Sequence, residues 1–262
     1  MPDRLREYRE DGWTVFSPDP ALAAWASACA PVAREVVEDP AHARWHRCDG
    51  TWFVGVNALP NDAEGAVDGR VPPLAGEAVA FARALVSGPV AWDRAQVSVI
   101  SPGYPRHGAE DTGASFRYRR DRCAAHVDGL ERSADRRRRL SETHSFLLGI
   151  PLTQAGEGEG AFVVWRGSHR IMREAFAAAF AGHDPADWFG IDVTEAYVAA
   201  RKRCFETCEP VRVAPGPGCA YLVHPLALHG VAPWEASTTD PRIVAYFRPD
   251  AFGGDPVRWL NA

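Results

Sequence analysis

Lysine is almost missing from this chain: of its 29 basic residues, Lys202 is the single lysine. Basicity is lacking too. A net charge of −5 and a pI near 6.0 exclude a general nucleic-acid binder, which is normally basic. No Cys-x-x-Cys occurs among Cys29, Cys48, Cys123, Cys204, Cys208 and Cys219, so zinc-ribbon and thioredoxin-like frameworks are excluded and free thiols are expected. No apolar run approaches the ~20 residues of a membrane-spanning helix. Met1-Pro2-Asp3-Arg4 has no secretory pattern, so a soluble, cytoplasmic protein without membrane partner is expected. Repeats, low-complexity stretches and linkers are absent as well. One domain over residues 1–262 is therefore predicted, and with 46% hydrophobic residues it can bury a substantial core.

What is present points to a metal. His126-Val127-Asp128 would place an imidazole and a carboxylate on one side of a β-strand, because residues i and i+2 face the same way. A second imidazole from a distant strand would complete two nitrogens and one oxygen on one face of a metal ion. Such a set leaves the opposite positions open, which suits non-haem Fe(II) that must bind O2 and a cosubstrate. Two histidines could supply that imidazole, His224 and His229, and Arg242 follows both. A guanidinium suits an anionic cosubstrate, because it grips a carboxylate with two parallel hydrogen bonds and keeps its charge. Arg248, six residues on, is the alternative.

Several further segments, in the right order, resemble the phytanoyl-CoA dioxygenase family of Fe(II)/2-oxoglutarate oxygenases. Gly160-Ala161-Phe162-Val163-Val164-Trp165-Arg166-Gly167-Ser168-His169-Arg170 is similar to its "NGxLxVxPGSHR" segment. Pro215 to His224, followed by Leu228-His229-Gly230-Val231-Ala232-Pro233, is similar to its "PGD…F…HGSGPN" stretch. Asp240-Pro241-Arg242 resembles the closing "RxxL" strand, and Tyr8 to Phe16 the "YxxDGYVVF" opening. The resemblance implies a mainly β fold, the double-stranded β-helix (a jelly-roll, cupin-like barrel) with flanking α-helices. It implies His126, Asp128 and His229 as metal-binding catalytic residues, Arg242 as the 2-oxoglutarate residue, and Fe(II), 2-oxoglutarate and O2 as cofactor and cosubstrates. His229 is preferred to His224 because the family's arginine follows its histidine at slightly less than the 13 residues separating His229 from Arg242. His169 would be a structural residue of its Gly-Ser-His turn. Superfamily halogenases lack the carboxylate; Asp128 is present, so hydroxylation of an unactivated C–H bond in a small-molecule substrate is the implied reaction. The alternatives are a cupin-type metalloenzyme that does not use 2-oxoglutarate, or a catalytically inactive cosubstrate-binding protein.

The rest of the pattern places helices first and a barrel after. Helices are expected over about 3–11, 20–37 and 74–87, and a strand over Trp52–Val56, in a helical part covering 1–95. The barrel, 96–250, should contain strands near 97–100, 115–125, 145–152, 161–165, 209–213, 219–223, 227–231 and 242–248, with a helical insertion at about 170–205. A hydroxyl partner for the cosubstrate is also expected; Thr143, Ser145, Leu147 and Gly149 share one strand face, but Gly149 stands where some relatives carry Trp, which leaves that second contact unassigned. Trp52, Phe53 and Asn57 are pocket candidates that would otherwise be core. The basic run Arg136–Arg139 either borders the pocket mouth and favours an anionic substrate or is a solvated surface. His42, His46, His107 and His183 carry no partner pattern.

Overall fold

A computed structural model describes residues 2–109 and 111–262, and the account below concerns these. The N-terminal part alternates short helices and strands: α1 (Pro2–Asp11), β1 (Trp13–Phe16), α2 (Pro20–Glu38), β2 (His46–Arg47), β3 (Trp52–Gly55) and α3 (Glu77–Leu85). Then come β4 (Gln96–Ile100), α4 (Gly113–Arg122), β5 (Leu130–Arg132), β6 (Arg138–Leu140), β7 (Leu147–Pro151) and β8 (Phe162–Trp165). Two helices, α5 (Ser168–Phe180) and α6 (Thr194–Thr207), precede β9 (Pro210–Val213), β10 (Ala220–Val223), β11 (His229–Val231), β12 (Arg242–Phe247) and α7 (Pro256–Leu260).

Ten of the twelve strands form two sheets that face each other, while β5 and β6 pair apart as a two-stranded sheet. The large one runs β1-β10-β7-β12-β4-β3-β2 and the small one β11-β8-β9, every named pair antiparallel. Alternation along the strands separates inside from outside. On β12, Ile243, Ala245 and Phe247 point outward into a core shared with Trp25 of α2 and Phe81 of α3. Val244 and Tyr246 point inward, where they meet Phe162 of β8 and Tyr221 of β10. The outer face of the small sheet, through Val163 and Trp165, is covered by Phe176 of α5 and Tyr197 of α6. This is the double-stranded β-helix with flanking helices. β1, β2 and β3, all before residue 96, belong to the large sheet rather than to a purely helical segment.

Two local expectations are corrected. Residues 115–125 do not form a strand: α4 occupies most of that stretch. Thr112 accepts a hydrogen bond from the Ser115 amide while the Ser115 hydroxyl accepts from the Thr112 amide, a reciprocal cap that starts a helix. The run Phe116–Arg122 then lacks the alternation a half-buried strand needs, and Cys123 ends the helix in the left-handed conformation. His126-Val127-Asp128 is not within a regular strand either. His126 makes an isolated antiparallel bridge to His229, and Asp128 lies in the following turn.

Candidate metal centre

The bridge between His126 and His229 is what builds the site. Their backbones exchange both hydrogen bonds, His126 N to His229 O at 2.8 Å and His229 N to His126 O at 3.0 Å. Directly opposed residues of an antiparallel pair project to the same face, and the two imidazole centroids lie 4.7 Å apart. Each ring is then fixed in the same way. Nδ1 of His126 donates to the carbonyl of Ala124 (3.0 Å) and Nδ1 of His229 to that of Ala227 (2.9 Å). A carbonyl can only accept, so both Nδ1 atoms carry hydrogen and both Nε2 lone pairs are free for a metal.

Asp128 closes the triangle. Its Oδ1 is 3.0 Å from His126 Nε2 and its Oδ2 is 3.5 Å from His229 Nε2. An octahedral cation with bonds of ~2.1 Å separates adjacent donors by about 3 Å, so the spacing fits. Burial disfavours the carboxylate charge, but Arg248 and His229 outweigh it and hold the Asp128 pKa well below the usual range. The group is ionised and ready to ligate. Gly230, next to His229, lets the chain close up here: a Cβ on it would come within 2.1 Å of the Cys123 carbonyl oxygen.

His224, the other distal candidate, is not at this centre. Its Nδ1 accepts from the Leu226 amide and its Nε2 faces the Ala262 carbonyl, so both nitrogens are engaged elsewhere. Its ring lies 4.8 Å from that of His169, tilted against it, and His169 Nε2 bonds the Arg9 carbonyl.

Behind the triad lies a buried guanidinium among aromatic rings. Phe162 stacks on His229 (5.4 Å between centroids) and touches Tyr221 and Tyr246. Beyond these rings Arg242 is only 3% exposed and makes no ion pair among the described residues. Its Nη2 donates to the hydroxyls of Tyr221 (3.2 Å) and Tyr246 (3.3 Å), and its Nη1 is buried without an acceptor. The two hydroxyls share a single hydrogen bond of 2.8 Å, which uses one of their two hydrogens. One hydroxyl hydrogen and one guanidinium nitrogen thus both lack an acceptor, and a buried cation without a counter-ion is costly. That inventory fits a carboxylate group.

The hydroxyls that meet Arg242 are those of Tyr221 and Tyr246, rather than any on the face of Thr143, Ser145 and Leu147. Gly149 accounts for the difference. A Cβ there would lie 2.4 Å from the Tyr221 ring, so the missing side chain makes room for the tyrosine. Arg248 is the residue the sequence reading undervalued. Its Nε is 2.6 Å from Asp128 Oδ2, too close to the triad to grip the far end of a cosubstrate chelating the metal.

The triad opens into a cavity of about 290 Å³, with Trp52, Val54 and Val231 among its apolar walls and Gln96, Glu142 and Arg248 among its polar ones. Trp52 lines it, Phe53 points into the outer core, and Asn57 lines an adjoining cavity. The basic run does not reach it. β5 and β6 form a hairpin in which Arg137 pairs with Asp192 and Glu195, Arg138 lies over Tyr197, and Arg139 pairs with Asp135.

No protein-family model and no curated protein matches the chain. Solved structures do. One is the non-heme alpha-ketoglutarate-dependent carbocyclase SnoK from nogalamycin biosynthesis, with TM-score 0.57, 17% identity and coverage of 94% of this chain and 83% of that one. Another is EctD from S. alaskensis with bound Fe, with TM-score 0.52, 19% identity and coverage of 97% and 78%. A third is the epimerase SnoN in complex with Fe3+, alpha ketoglutarate and nogalamycin RO, with TM-score 0.53, 16% identity and coverage of 94% and 81%. At these identities the likeness establishes the fold. No helix among the described residues is long and apolar enough to cross a membrane.

Proposed function

We propose that the protein is a non-haem Fe(II)- and 2-oxoglutarate-dependent oxygenase, with His126, Asp128 and His229 as metal ligands and Arg242 as the cosubstrate anchor. The observation that carries this is the pairing of an open two-histidine, one-carboxylate face with a buried guanidinium lacking a counter-ion behind it. The likeness in fold to SnoN, solved with Fe3+ and alpha ketoglutarate, supports the same reading. A metal centre that used no carboxylate-bearing cosubstrate would leave Arg242 unexplained.

The iron, when bound, supplies the activation of O2. The chain supplies the rest. Ala124 and Ala227 fix the imidazole tautomers through Nδ1, so that Nε2 presents its lone pair. Arg242 and the hydroxyls of Tyr221 and Tyr246 hold the distal carboxylate, and Phe162 separates that seat from the metal face. The apolar walls of the cavity keep water from the reacting bond. With the carboxylate ligand present, we propose hydroxylation of a C–H bond in a small metabolite of mainly apolar surface.

The test is succinate release from 2-oxoglutarate under Fe(II) across a panel of small metabolites, with metal binding measured separately. The apo protein should gain thermal stability on adding Fe(II) or Mn(II), because a ligand that binds only the native state stabilises it. His126→Ala and His229→Ala should lose that gain. Arg242→Ala should keep it while raising the 2-oxoglutarate requirement by about 30-fold or more, since losing one side of a desolvated charge pair costs ~2–5 kcal/mol. Arg242→Lys should recover only part, having no second prong. Metal binding that survives His229→Ala, or a 2-oxoglutarate affinity unmoved by Arg242→Ala, would overturn the assignment.

A further inference from the structure

Arg248 is held more firmly than a substrate-binding arginine would be. Its Nε donates to Asp128 Oδ2 at 2.6 Å and its Nη1 to Gln96 Oε1 at 3.0 Å. Its backbone amide donates to Asp93 Oδ1 at 2.8 Å, and its guanidinium carbon stands 5.8 Å from the centroid of the Tyr246 ring. A fixed cation beside a metal site is electrostatically unfavourable for metal binding, so a purely structural ion pair is poorly placed here. The two carboxylate oxygens, however, are treated differently: Oδ2, 3.5 Å from His229 Nε2, also receives the guanidinium at 2.6 Å, while Oδ1, 3.0 Å from His126 Nε2, carries no contact to the arginine.

We propose that Arg248 is a positioning residue that confines Asp128 to one-oxygen coordination of the metal. A carboxylate with both oxygens available can take two positions on the same ion. With one lone-pair set engaged by a charge-assisted hydrogen bond, only the other oxygen is presented. The consequence concerns how many positions stay open. Three single-atom protein ligands on an octahedral ion leave three, which a two-point cosubstrate and O2 require; a two-oxygen Asp128 leaves two. Gln96, by receiving Nη1, keeps the guanidinium plane turned toward Asp128. This inference rests on the metal-site reading above and adds to it the count of open positions.

The test counts inner-sphere water on the Mn(II)-loaded protein by water-proton relaxation, before any cosubstrate or substrate is added. Wild type should carry about three exchangeable waters, the complement of three protein ligands on an octahedral Mn(II). Arg248→Met should lower the inner-sphere relaxation by about a third, as a freed Asp128 oxygen displaces one water. Arg248→Lys, which keeps a cationic donor, should stay near wild type, and circular dichroism checks that each variant is folded. If Arg248→Met does not fold, Gln96→Leu, which loosens the guanidinium without removing it, should shift relaxation in the same direction by less. Relaxation unchanged or increased in the folded variant overturns the positioning role alone. A wild-type protein that binds no Mn(II) overturns the metal reading itself.

Discussion

At the scale of single residues, the candidate triad was legible and the groups packed around it were not. His126, Asp128 and His229 stand out through the His-x-Asp spacing and the resemblance of the segments around them, in the same order, to a known family. Tyr221 and Tyr246 were hidden: a tyrosine alternating with aliphatic residues reads as ordinary core, and both rings are core. Their roles come from two hydroxyls meeting one guanidinium across β10 and β12, a long-range coincidence that no local pattern encodes. The signal that was available is Gly149, a missing side chain in a buried strand where a large one would be expected. Tyr246→Phe should therefore raise the 2-oxoglutarate concentration needed for half-saturation by about tenfold, as a hydrogen bond to a charged group contributes ~1.5–3 kcal/mol. Metal binding should not change. Titrating 2-oxoglutarate into the Mn(II)-loaded variant by calorimetry checks this, and equal affinities would move the carboxylate seat away from the tyrosines.

Among elements, those with a clean period were legible and those set by contacts between distant segments were not. β7, β8 and β12 are apolar runs bounded by turns, and α2 and α5 carry buried stripes, so both classes declare themselves. α4 has no apolar stripe at all; its cap and its pairing of Arg119 with Asp111 decide it. The segment carrying His126 takes its extended form from β11, to which it is bonded through both His126 and the Val231 amide–Cys123 carbonyl bond of 2.8 Å. Gly230 lies at the centre of that contact, where no Cβ has room. Gly230→Ala must push the two segments apart and so separate the imidazoles. A folded Gly230→Ala protein that has lost at least tenfold in Mn(II) affinity is the expected outcome. Wild-type affinity would mean that the bridge is not what sets the ligand spacing.

For the whole molecule, strand spacing pointed to a sandwich or barrel and the family resemblance to the double-stranded β-helix, but neither told how many histidines are sealed into the interior. His144, His169 and His224 are each about 2% exposed. Burial, the leading cause in each case, pushes His144 and His169 down to about 4 and His224 well below its ordinary value. His144 has no hydrogen-bond partner on either nitrogen, and His224 would lose the Leu226 amide bond on protonation at Nδ1. These groups are neutral in the folded state and protonate near 6.5 once exposed. Between about pH 6.5 and 4 the unfolded chain therefore binds protons that the folded chain refuses, so stability falls as pH falls through that window. Each group contributes a slope of up to about 1.4 kcal/mol per pH unit. His126 works in the opposite sense, because Asp128 raises its pKa despite burial, but its contribution is complete below 6.5 and adds no slope there. Asp128, held low, loses its contribution only at still more acid pH. Urea unfolding of the metal-free protein at pH 6.5, 5.5 and 4.5 should show this loss. Asp93 offsets part of this loss, because burial raises its pKa to about 6 and the folded chain then takes up a proton there that the unfolded chain takes up only at more acid pH. His144→Leu, which replaces an unpartnered imidazole with an apolar side chain, should make the dependence shallower by roughly one proton. A dependence identical to wild type in that variant would place the acid sensitivity elsewhere in the barrel.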